Sequence, residues 1–169
     1  METLFYAQPY DITASGFYFR TEEEYQDKAG RLFNHAGLLV EEFEIQFIDG
    51  EAIDAQLVSA LGINQANFPG VIEAIDTLDE WDKLKLIIAI GECGYRWEQG
   101  AFDADDIDLD FYEMDTLREL AEHVVDEGLM GEIPEHLLTY FDYDALARDL
   151  GVDYSEICVA GTNYIYRCS

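Results

Sequence analysis

Acidic residues outnumber basic ones 37 to 9 among 169, a formal charge of −28. Self-repulsion on that scale opposes any compact state, so such a chain either stays disordered or buries enough apolar surface to fold in spite of it. The composition decides for folding. Apolar residues make up 49% and aromatics 14%, far more than an acidic disordered tail carries. The same charge excludes partners, since nucleic-acid phosphates and an anionic membrane face would both repel it. No uninterrupted apolar stretch approaches the roughly 20 residues of a bilayer span. The first nine residues hold neither a basic n-region nor a long apolar h-region, and a cytoplasmic protein is expected.

Periodicity and turn signals predict an α+β fold: an elongated chain of three small subdomains. Residues 1–53 should form a small sheet plus a helix, 54–102 a mainly helical middle, and 103–169 an acidic subdomain with a small sheet plus helices. Residues 3–7 and 16–20 read as strands. Thr21-Glu22-Glu23-Glu24 is a capping box; the helix it opens carries Tyr25, Leu32 and Phe33 and stops at Gly37. Phe43-Glu44-Ile45-Gln46-Phe47 alternates as a strand with one wet face. Three apolar stripes follow, around Leu57 and Val58, around Val71, Ile72 and Ile75, and around Leu84, Ile87 and Ile88. They predict three short helices joined by turns at Gly62-Ile63-Asn64 and Phe68-Pro69-Gly70. A soft boundary is expected at 91–100.

Beyond it, Ile107, Leu109 and Phe111 alternate with Asp108, Asp110 and Tyr112, which predicts a strand with carboxylates on its open face. Asp115 reads as the cap of a helix. Leu117, Leu120, Ala121, Val124 and Val125 fall there at i, i+3, i+4, i+7 and i+8, and Gly128 ends it. Pro134 opens the next helix and Asp142 another, through Leu150. Residues 156–160 and 164–167 read as a hairpin around Gly161-Thr162-Asn163.

Clustered acids raise calcium first. Asp106, Asp108 and Asp110 have the opening spacing of an EF-hand loop, but Phe111 and Leu117 stand where Gly and a final acid are required. Glu119 and His123 lie at i, i+4, and His136 follows Glu135. With no H-E-x-x-H motif and no Cys pair, neither His makes a metal site, and surface helix positions are expected. Carboxylate pairs arise by chance among so many acids. Gly91-Glu92-Cys93-Gly94 lacks the Lys or third Gly of a phosphate loop, no G-x-S-x-G occurs, and Cys93 has no neighbouring His. No catalysis, no cofactor and no metal are expected.

The charge is uneven. From Glu98 to Glu127 the only base is Arg118, whereas a proteome-wide adaptation to salt would spread its acids. Duplex DNA shows one charge per about 1.7 Å of axis, so 28 charges would cover roughly 48 Å of it. A compact chain of this length has a radius of gyration of only about 15 Å. The charge therefore suits imitation of a duplex if the chain is elongated. The surface expected to do this comprises Asp103, Asp105, Asp106, Asp108, Asp110, Glu113, Glu119, Glu122, Asp126 and Glu127.

Residues 128–150 add a motif. Glu132, Ile133 and Pro134 follow a Gly/Leu stretch; Tyr140, Asp142 and Tyr143 come next, then Arg148, Asp149 and Leu150. This pattern resembles the ArdA family of antirestriction proteins, and the N-terminal Leu4-Phe5-Tyr6-Ala7 and the strand at 16–19 are similar more loosely. The resemblance implies a non-enzymatic protein of mobile genetic elements. It would act as an elongated homodimer, a DNA mimic that occupies the DNA-binding groove of type I restriction-modification enzymes. Glu132, Pro134, Tyr140, Asp142, Tyr143, Arg148 and Asp149 would then serve packing or the dimer contact, and the exposed acids would meet the target. The alternative is an acidic interaction module for some other basic partner.

Overall fold

A computed structural model describes residues 1–98 and 103–169. The far end of the expected boundary, 99–102, lies outside the described residues. The fold is α+β: among the described residues there are seven α-helices and two three-stranded sheets. The chain divides into two compact units, Met1–Ala104 and Asp105–Ser169.

In the first unit an antiparallel sheet has the order β2-β1-β3, from β1 (Leu4–Pro9), β2 (Phe17–Phe19) and β3 (Phe43–Asp49). Period-2 alternation sorts its two faces. Phe5 and Ala7 of β1, Phe19 of β2, and Phe43 and Ile45 of β3 are buried, while Glu44 is exposed, as its strand pattern predicts. Helix α1 (Glu22–Ala29) starts where expected, with the Thr21 hydroxyl accepting from the Glu24 amide at 3.2 Å. The Glu24 carboxylate reaches back one residue further than a standard capping box, to the Arg20 amide at 2.9 Å. The helix ends sooner than predicted. Gly30 caps it, and the chain turns so that Phe33 pairs in an isolated bridge with Leu39. Leu32 and Phe33 thus lie outside the helix, and Gly37, at φ +77°, serves the turn between them rather than a helix stop.

Three helices follow, as the stripes predict: α2 (Ala52–Leu61), α3 (Phe68–Thr77) and α4 (Glu80–Gly91). Phe68-Pro69-Gly70 is not a turn. Pro69 stands in the first turn of α3, where a missing N–H costs nothing, and Phe68 is buried against Tyr25 and Phe19 at ring distances of 4.5 and 5.5 Å. Such aromatic contacts prefer the tilted and edge-on arrangements found here. Leu57 and Val58 of α2, Val71 of α3, and Leu84, Leu86 and Ile88 of α4 complete the core. A buried ion pair sits inside it: Lys83 Nζ donates to Asp54 Oδ1 at 2.7 Å, linking α4 to α2.

The second unit begins within a 3-10 turn at Ala104–Asp106. Its sheet has the order β4-β6-β5 and is antiparallel throughout, from β4 (Leu109–Glu113), β5 (Ser155–Val159) and β6 (Thr162–Cys168). Ile107 is buried but precedes the strand. Helices α5 (Leu117–Asp126), α6 (Glu135–Leu138) and α7 (Tyr143–Leu150) complete it, and Leu120, Ala121, Val125, Ala147, Val159 and Ile165 form its core. The hairpin turn is Ala160-Gly161, with φ +50° and +85°, and Thr162 and Asn163 belong to β6. A two-residue hairpin loop of this kind needs positive φ at both positions, which displaces the expected three-residue turn by one.

Candidate functional site

Helix α5 decides which acids of the second unit face outward. Its cap is Thr116, not Asp115: the Thr116 hydroxyl accepts from the Glu119 amide at 3.2 Å, and the Glu119 carboxylate accepts from the Asp115 amide at 3.2 Å. The cap thus lies one residue later than predicted, and as at α1 the Glu carboxylate reaches one residue further back than in a standard capping box. With Leu120, Ala121 and Val125 buried, the opposite face carries Glu119 and Asp126 into solvent, followed by Glu127. Asp103, Asp105, Asp106 and Asp108 are exposed in and beside the 3-10 turn, and Glu113 is exposed at the end of β4.

Two predicted surface acids have internal partners. Asp110 lies directly opposite Arg167 in the sheet, and its carboxylate accepts from that guanidinium. The Arg167 guanidinium also lies 5.0 Å from the Tyr154 ring centre, a favourable cation–π distance. The bond to Asp110 raises the Arg167 pKa, and burial raises that of the Tyr154 phenol. Glu122 accepts from Arg118 Nε at 3.2 Å. Arg118 Nη1 donates to Asp144 Oδ1 on α7 at 2.6 Å, with Tyr143 5.9 Å below the guanidinium. Asp144 first, then Glu122, raises the Arg118 pKa. Half-buried Asp110 and Glu122 are thus tied into the unit, and the other eight acids of the expected surface are exposed.

The motif residues divide in the same way. Pro134, at φ −57° and ψ 136°, occupies the N-cap of α6 without a side-chain bond. Asp142 caps α7 as expected, its Oδ1 accepting from the Ala145 amide at 3.0 Å. Tyr143 is half-buried with its ring 5.0 Å from Phe141. Glu132, Arg148 and Asp149 are exposed, and Tyr140 is 85% exposed. Among the described residues Arg148 makes no ion pair. His123 rests against the Tyr112 ring at 5.5 Å, and His136 is exposed. No group of three or more potential metal ligands occurs among the described residues, and no helix there is long and apolar enough to cross a membrane.

Asp144, Asp149, Asp153 and Glu156 are exposed too, beyond the stretch singled out in the sequence. The signal for them was present: after Glu127 only Arg148 and Arg167 are basic. The second unit holds 17 acids against 3 bases and the first 20 against 6. Several bases are spent internally. Arg20 pairs with Glu2 at 3.2 Å and Arg31 with Asp27 at 2.6 Å, in addition to Lys83, Arg118 and Arg167. The exposed acids therefore carry nearly the full excess.

Against this geometry, a family model described as "Antirestriction protein (ArdA)" matches residues 19–165. Comparison with curated proteins finds no match.

Proposed function

Because the chain belongs to the ArdA family, whose members are antirestriction proteins, we propose that it inhibits type I restriction-modification enzymes by occupying the basic cleft where they hold DNA. The observation that carries this reading is the outward excess of carboxylates on the second unit. They are fixed on α5, the 3-10 turn and the end of β4, while two of that unit's three bases are bound within the unit. Rigidly mounted carboxylates meet Lys and Arg side chains without the ordering cost that a disordered acidic tail would incur. They carry no base edges, so recognition rests on charge and spacing. Mimicry of DNA, action as a homodimer in the cytoplasm, and origin in a mobile element belong to the same proposal. No catalytic step and no cofactor enter it.

The decisive test is cleavage of unmodified DNA by a purified type I enzyme with and without the protein. Inhibition that added duplex relieves competitively, and that weakens as salt rises, is expected. Full cleavage at a large excess of the protein would reject the reading in favour of an acidic module for another basic partner.

A further inference from the structure

Not all of the first unit's surface is explained by charge. Two loops, 10–14 and 33–42, form one corner of it. Asp11 Oδ2 accepts from Asn34 Nδ2 at 2.9 Å, the Thr13 hydroxyl accepts from the His35 amide at 3.2 Å, and the Tyr10 amide donates to the Glu42 carbonyl at 3.2 Å. Asn34 Oδ1 in turn accepts from the Ala36 and Leu38 amides at 3.0 and 2.9 Å. This polar framework holds five large apolar side chains in water: Tyr10, Ile12, Phe33, Leu38 and Leu39. Ile12 is 97% exposed and Leu38 65%. A single exposed Leu needs no explanation, but five on one braced corner mark a contact surface. The bracing also lowers the ordering cost of binding.

Charge selects the occupant. The corner is flanked by Asp11, Glu41 and Glu42, with the latter two exposed. A second copy docking there would bring acid against acid in a desolvating contact, which costs several kcal/mol. A protein surface apolar at its centre and basic around it would meet both features. We propose that this corner is a second contact with the target, an apolar anchor seated in a basic-rimmed patch of the enzyme protein. It rests on the reading that the target is a DNA-binding enzyme. DNA has no equivalent of such an anchor, so the anchor supplies binding that salt does not screen and that the competing duplex lacks.

The test measures the dissociation constant for the purified enzyme across a salt series, for the full chain and for the variants Ile12→Ser and Ile12→Ser/Leu38→Ser. Circular dichroism and sedimentation accompany each protein. The double variant is expected to bind about tenfold more weakly at every salt concentration, with the salt slope and the melting temperature unchanged. The single variant is expected to fall between. Affinities within twofold of the unchanged chain would overturn the proposal, and so would a change of oligomeric mass, which would make the corner a self-contact. If the unchanged chain fails to bind the enzyme at all, the target reading itself falls, an outcome distinct from unaffected variants.

Discussion

Asp11 shows how much one carboxylate holds in this molecule. It accepts from the Thr13 hydroxyl at 2.7 Å, the Thr13 amide at 2.9 Å and the Asn34 side chain at 2.9 Å. The Thr13 bonds, chiefly the hydroxyl, keep its pKa below the ordinary aspartate range. A depressed folded pKa means that the unfolded loop takes up its proton first as pH falls. The clamp is therefore intact above the ordinary aspartate pKa and lost as pH drops through the lowered one. Measured against the intrinsic exchange rate at each pH, the protection of the Ala36 and Leu38 amides should fall across that acid window, and Asp11→Ala should show the low protection at every pH. Lys83 is the opposite case, a buried base. Lys83→Met leaves Asp54 buried without its counter-charge and should cost about 3–5 kcal/mol in chemical denaturation. Asp54→Asn/Lys83→Met should recover much of that loss. The alternation of residues 107–112 placed Asp110 on the correct strand but could not name the Arg167 opposite it, 57 positions away. Register across a sheet is fixed by the partner strand, which local periodicity does not contain.

Elements whose beginnings carry a side-chain acceptor were legible. Thr21 and Asp142 cap α1 and α7 as read, because the Ser/Thr/Asp preference is local chemistry. Asp115 and Thr116 are adjacent acceptors, and only the Glu three residues on distinguishes them, since Thr116-x-x-Glu119 has the spacing of a capping box. Helix ends were harder to read. Leu32 and Phe33 continue the apolar stripe of α1, yet the helix stops at Ala29 and those side chains serve a turn whose Phe33–Leu39 bridge is a tertiary pairing. The hairpin of β5 and β6 was visible, but its turn was displaced by one residue because Ala160 takes a left-handed conformation. An L-residue with a Cβ holds that conformation at a cost of roughly 1 kcal/mol, which Asn tolerates better. Ala160→Asn is therefore expected to raise stability by up to about 1 kcal/mol, seen as a higher midpoint in urea without a change in slope. No gain would show that Ala160 is relieved by its surroundings.

At the scale of the whole molecule the acidic excess was legible at once, and its distribution between folding and display was not. That division changes which charges to reverse. Converting Asp110 would set two cations face to face across β4 and β6 and confound binding with folding. Asp106, Asp108 and Glu113 are exposed instead. Their joint conversion to Lys should weaken inhibition at least tenfold and flatten its salt dependence, with the melting temperature little changed, as measured by DNA cleavage over a salt series. Unchanged inhibition would remove this edge of the second unit from the contact. The carboxylates also differ in their freedom to change over generations. Asp11, Asp54, Asp79 and Asp142 serve as a loop clamp, a core counter-charge and two helix caps. A lineage under pressure only to stay acidic can trade one surface Glu for another anywhere nearby. These four positions are exempt from that drift, so distant descendants should keep them while the acids that meet the target wander.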